Sequence, residues 1–90
     1  MSAMTRTIDT IWTEIQALRE ADHAADAEPD SAAYWSAAAG RAERQRDLWR
    51  ELGNHCGGDV PEWSRLAASR TGDLYADLGA RYRVFAGQTA

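Results

Sequence analysis

The residues equipped for chemistry fall into four small groups. Glu20-Ala-Asp-His23 carries a Glu-x-x-His pattern, which on a helix puts a carboxylate and an imidazole on one face, as di-iron carboxylate bundles require. A homodimer could bring two such pairs together, with Glu14, Glu43 or Glu51 as bridging carboxylates. Metal sites of that kind lie mid-bundle in a protected shell, whereas this stretch is hydrophilic all round and sits near the expected end of its helix. An exposed acidic helix end is the favoured reading, and Glu20 and His23 stand only as weak metal candidates.

The same region is acidic beyond that pair. From Glu20 to Asp30 the chain carries five carboxylates and no lysine or arginine. Asp22, His23, Asp26, Glu28 and Asp30 could gather a divalent cation, but the turn glycine and terminal bidentate glutamate of an EF-hand loop are missing. A solvated face, or a docking patch for a basic partner formed by Asp22, Asp26, Glu28 and Asp30, fits the pattern better. His55-Cys56 forms the third group, in a glycine-flanked loop. A neighbouring histidine can lower a thiol's pKa, yet adjacent side chains seldom face each other and no second ligand cluster supports zinc. The fourth is Arg41, Arg44, Arg46 and Arg50, interleaved with Glu43, Asp47 and Glu51. Pairing three and four residues apart on a helix accounts for that alternation. A nucleic-acid face would need arginines without the acids, so a nucleic-acid-associated regulator stands as an alternative only.

These groups must be carried by elements, and the spacing of apolar residues says which. Ile8, Ile11, Trp12, Ile15 and Leu18 recur at helical steps, with Ala25 further on. They predict a first helix over about 5–27, ended by Pro29 with Asp30, because proline disfavours helix in the residue before it. Asp30 or Ser31 is the expected N-cap of a second helix over about 31–52. Its seam runs through Trp35, Ala38, Ala42, Gln45, Trp49 and Leu52, and Gly53-Asn54 is the expected stop. Asp59-Val60-Pro61-Glu62 resembles a capping box opening a third helix over about 60–86. Val60, Trp63, Leu66, Ala67, Leu74, Leu78, Tyr82 and Phe85 carry its apolar surface, and Gly87 to Ala90 are expected to fray. Arg70-Thr71-Gly72-Asp73 predicts a break near Gly72, with Thr71 as a second cap. No strand alternation of useful length is present. The expected fold is all-α: one domain over 1–90, a small antiparallel three-helix bundle.

The second helix has a thin middle. Between Trp35 and Leu48 it has no large apolar side chain, only alanine, glycine and polar residues. Ala68, Gly72, Ala76, Gly79 and Ala80 form a matching small-residue ridge on the third helix. Two such faces can approach closely, toward the low end of the roughly 8–10 Å interaxial range. They can meet within one chain, between two copies as a homodimer, or stay open to a foreign helix. Trp35 and Trp49 would close the ends of the thin region against Trp63, Tyr82 or Phe85. Trp35, Trp49 and Trp63 are read as core, and Trp12 at the stripe's edge as a candidate partner anchor.

Composition bounds the function classes. The 90-residue chain has a net charge of −4, and all ten of its basic residues are arginine. Residues 1–30 hold seven acids against two arginines, and 31–90 hold seven against eight. An acidic total argues against a general nucleic-acid binder. The one cysteine, the lack of a charged-then-apolar leader and the lack of a membrane-length apolar run predict a reduced, cytoplasmic protein with no membrane association. No glycine-rich phosphate loop or convergent acid/base group marks an enzyme, and no cofactor is expected. The reading is a non-enzymatic, protein-binding module of adaptor, inhibitor or antitoxin-like type, a regulator whose partner has a basic surface. Homodimerisation stands as a further possibility, and a homo-oligomer binding metal through Glu20 and His23 as an alternative.

Overall fold

The computed structural model describes residues 7–25, 31–55 and 61–89. They form three helices, α1 (Ile8–Ala24), α2 (Ala32–Gly53) and α3 (Glu62–Thr89), with no strand among the described residues. The architecture is an all-α three-helix bundle in which α2 is the central element. Both neighbours run antiparallel to it: Trp12 lies at Trp49 and Asp22 at Arg41, while Gly53 lies at Ser69 and Trp35 at Phe85. α1 and α3 each pack on α2 and do not approach one another closely.

The caps follow from short side chains at the starts. Thr7 Oγ1 accepts from the Thr10 amide at 3.1 Å and opens α1. Ser31 Oγ accepts from the Tyr34 amide at 3.0 Å and opens α2, in the N-cap position the sequence assigns to Asp30 or Ser31. Each satisfies a donor that the first helical turn leaves without a partner. The expected outer limits of the first helix, and the Asp59 cap with Val60, lie outside the described residues. α1 closes at Ala25, whose N–H reaches the carbonyls of Ala21 and Asp22.

α1 meets α2 through large side chains. Ile11, Ile15 and Leu48 are fully buried, with Leu18, Trp49 and Leu52 packed around them. Gln45 is fully buried too. Its amide donates to the Ile15 carbonyl at 3.3 Å, and its Oε1 accepts from Trp49 Nε1 at 3.1 Å. Both ends of the amide are therefore satisfied, as burial of a polar group demands.

α2 meets α3 through small side chains, within one chain. A Cβ placed on Gly79 would sit 3.6 Å from Ala42 Cβ, 3.3 Å from Glu43 Cγ and 3.8 Å from the Ala39 carbonyl. One placed on Gly72 would sit 3.0 Å from Arg50 Cγ and 3.2 Å from the Arg46 carbonyl. Ala38, Ala39, Ala42 and Ala68 are buried in the same seam. The thin middle of α2 is thus the surface against which the glycines of α3 lie. Ala37, Gly40 and Ala80 face outward instead.

Three expectations are corrected here. α3 runs unbroken through Gly72, because this glycine serves close approach to α2 rather than a turn. Thr71 does not cap; its hydroxyl donates to the Ala67 carbonyl one turn back at 2.9 Å, a local bond open to threonine inside a helix. α2 stops at Gly53-Asn54 as expected, with Asn54 as C-cap, and Gly53 has a second role: a Cβ there would collide with Ser69 Oγ and stand 3.0 Å from the Arg65 carbonyl. α3 also continues past residue 86, to Thr89.

Candidate binding surface

The expected partner-binding residues separate in the structure. Asp22 is engaged: Arg41 Nε donates to its Oδ1, tying the end of α1 to α2. Asp26, Glu28 and Asp30 lie outside the described residues. Trp12 is 42% exposed, its ring meeting Trp49 edge to face at a centroid distance of 5.7 Å. Glu20 and His23 are both exposed. Among the described residues no three His, Cys, Asp or Glu side chains gather as a metal site would require.

The α2 arginines are taken by carboxylates. Arg41 pairs with Asp22, Arg44 with Glu14 at 3.4 Å, Arg46 with Asp47 at 2.8 Å, and Arg50 with Asp73 at 3.1 Å. Arg83 of α3 grips Glu43 with two hydrogen bonds, of 3.0 and 2.8 Å. Those bonds hold the Glu43 carboxyl below its ordinary value of 4.5 and raise Arg83. The hydrogen bond from Arg46 likewise lowers Asp47. All of these groups keep part of their surface in water, Arg41 being the most covered. Each surface pair contributes little energy, but together they leave α2 without a continuous basic face.

Most of the large apolar side chains exposed among the described residues lie on α3. Trp63 is 73% exposed, Leu74 68%, Val84 56%, Leu66 51% and Phe85 42%. The core placement of Trp63 is therefore corrected, while the expected closure of Trp35 against Tyr82 and Phe85 is present. α3 turns its small residues to α2 and its large ones outward. Trp63, Ala67, Thr71, Leu74, Leu78, Tyr82 and Phe85 follow one another at steps of three and four and form one stripe. Thr71, Leu74, Tyr75 and Leu78 line a shallow depression of about 290 Å³ within it. At its C-terminal end Phe85 and Tyr82 lean on Trp35, with centroids at 4.9 and 5.4 Å. Burial there raises the Tyr82 hydroxyl pKa above its ordinary value of 10.0, helped by nearby Asp22.

A second depression, of about 260 Å³, is lined by Gly53, Glu62, Arg65, Leu66 and Ser69. Arg65 Nε is buried beside it without an acceptor.

Hydrophobic periodicity picks out the stripe in the sequence as the apolar surface of the third helix, Thr71 excepted. The signal that could have turned it outward is the glycine-alanine ridge on the same helix: α3 has two apolar faces and one neighbour. No family model, curated protein or solved structure matches the chain. No helix among the described residues is long and apolar enough to cross a membrane.

Proposed function

We propose that this chain is a non-enzymatic, protein-binding helical module that docks on a partner protein through the outer face of α3. The observation that carries this reading is the stripe from Trp63 to Phe85, where Trp63 and Leu74 are more than two-thirds exposed. Exposed apolar patches on small proteins mark interaction sites, and tryptophan is among the residues most often found at interface hot spots. Trp12 and the acidic segment are secondary in this reading, since Asp22 is already paired to Arg41. A regulator or adaptor needs no more than such a face on a stable scaffold. We infer a cytoplasmic location from composition alone, one cysteine in 90 residues suiting a reducing compartment.

Site-specific photocrosslinking tests the reading. A benzoylphenylalanine replaces Leu74 in one variant and Gly40 in another, both in the full chain. Gly40 is the control because its outward side meets nothing within 4 Å. A discrete protein adduct from position 74 and none from position 40 is expected. Equal or absent adducts at the two positions would overturn the reading.

A further inference from the structure

The two aromatic ends of the α3 stripe lie at equal distances from Leu74, and with the charges beside the stripe they point to an occupant. Trp63 lies eleven residues before Leu74 and Phe85 eleven after it; Ala67 and Arg81 lie seven residues to either side. Arg70 and Asp77, opposite in sign, are placed four before and three after, along one edge of the stripe. Both are exposed, and neither makes an ion pair among the described residues.

We propose that the partner on this face is a second copy of the chain, bound as an antiparallel α3–α3 pair about a two-fold axis beside Leu74. The proposal rests on the reading of α3 as a docking surface and names what docks. A two-fold contact presents one patch to itself, so every pairing occurs twice. Here the two Leu74 side chains meet at the axis, and each Trp63 falls on Phe85 of the second copy with Val84 beside it. In that register each Arg70 stands opposite position 78 of the second copy, one residue step from Asp77 on the same edge, within reach of its carboxylate. Arg81, next to Tyr82 of the stripe, falls opposite Ala67 of the second copy, where its stem can lie across a small side chain with its head in water. In a parallel two-fold pair this edge of one copy would face the opposite edge of the other and Arg70 would not meet Asp77, so the charge pairing is open to the antiparallel arrangement alone.

The exposed area is sufficient. The chain exposes 6194 Å², against about 5,200 Å² for a compact monomer of its 9.9 kDa mass. The excess of about 1,000 Å² belongs to the chain as a whole and exceeds the roughly 800 Å² that each partner gives to a standard interface. Its Cα radius of gyration, 14.8 Å, likewise exceeds the roughly 12 Å of a compact chain of this length. The stripe itself, 22 residues from Trp63 to Phe85, is about 33 Å long at 1.5 Å per residue.

Light scattering on the full chain from about 1 to 100 µM, the range where modest interfaces of this size dissociate, reads the outcome. The mass is expected to rise to twice the 9.9 kDa chain. Leu74→Glu is expected to remain at one chain mass throughout, with its helical circular dichroism retained. Arg70→Glu and Asp77→Arg are each expected to raise the Kd roughly tenfold, two like-charge contacts replacing two opposite ones. The double variant Arg70→Glu/Asp77→Arg is expected to restore it. A monomer at every concentration, or a dimer indifferent to Leu74→Glu, would overturn the proposal, as would a double variant no tighter than either single. Hydroxyl-radical labelling of Trp63 on the same samples separates this failure from that of the docking reading. A monomer in which Trp63 labels freely loses only the second copy, whereas a monomer in which Trp63 is protected loses the docking face as well.

Discussion

The α1–α2 and α2–α3 seams are built by opposite means. In the first, Ile11, Ile15 and Leu48 are large, fully buried, and joined by a satisfied glutamine. In the second, Gly72 and Gly79 lie against alanine methyls and backbone carbonyls. Large knobs hold two helices by filling the space between them; small ones hold them by abolishing that space. The choice has a consequence for α3. Having placed its small residues inward, it carries its tryptophan, leucines and valine on the outside, which α1 and α2 do only at Trp12.

The largest expected effect is in the first seam. Leu48→Ala opens a cavity at a fully buried position and is expected to lose about 3 kcal/mol. In a thermal melt that is a fall of roughly 12–24 °C at this size.

The second seam is expected to fail by the reverse operation. Gly72→Leu drives a side chain into the Arg46 carbonyl and the Arg50 stem, for an expected loss of about 2–3 kcal/mol. Gly40→Leu makes the same chemical change on the open side of α2, where nothing lies within 4 Å. It is expected to stabilise by up to about 1 kcal/mol through helix propensity. The difference between the two melts isolates close approach from propensity. Equal shifts would mean that α3 does not sit as tightly as its glycines imply.

A smaller effect concerns acid. The Arg83 hydrogen bonds lower the Glu43 pKa in the folded chain below its ordinary 4.5. The contribution of that carboxylate is therefore present above about pH 4.5 and is lost as pH falls through the folded value. Melts of the parent and of Glu43→Gln between pH 7 and pH 2 are expected to converge in that acid window, the variant being the less pH-dependent of the two. Parallel curves would remove Glu43 from the α2–α3 seam's electrostatics.

Much of this arrangement is legible in the sequence because it follows from local rules. The Ile8–Leu18 stripe, the Ser31 cap and the ridge of small residues are each visible as spacing. The direction of α3 is not. Its wheel has a small-residue face and a large-residue face, and ranking side chains by hydrophobicity picks the large one as core. The burial of Ala68, Gly72 and Gly79 depends on how near another backbone comes, a tertiary fact that no periodicity records. The same gap explains Trp63, which reads as core and stands outside, and Gly72, which reads as a break and is a contact. The acidic patch lost Asp22 to Arg41, nineteen residues away, a pairing that only the antiparallel register of α1 and α2 creates. Leu48, fully buried, lies off the expected α2 seam because that seam follows the face that meets both neighbours, and Leu48 belongs to the α1 side.

The central claim is that α3 holds the fold with its small residues and leaves its large ones for a partner. Urea unfolding of Leu74→Gln tests it most directly, at a concentration low enough that parent and variant both have the mass of one chain. Glutamine matches leucine closely in helix propensity, so the change reads packing alone. The account expects the two unfolding free energies to agree within about 1 kcal/mol, since Leu74 is 68% exposed and little of it leaves water on folding. A loss of 2 kcal/mol or more, on the scale of a buried leucine, would place Leu74 in the core and contradict the account.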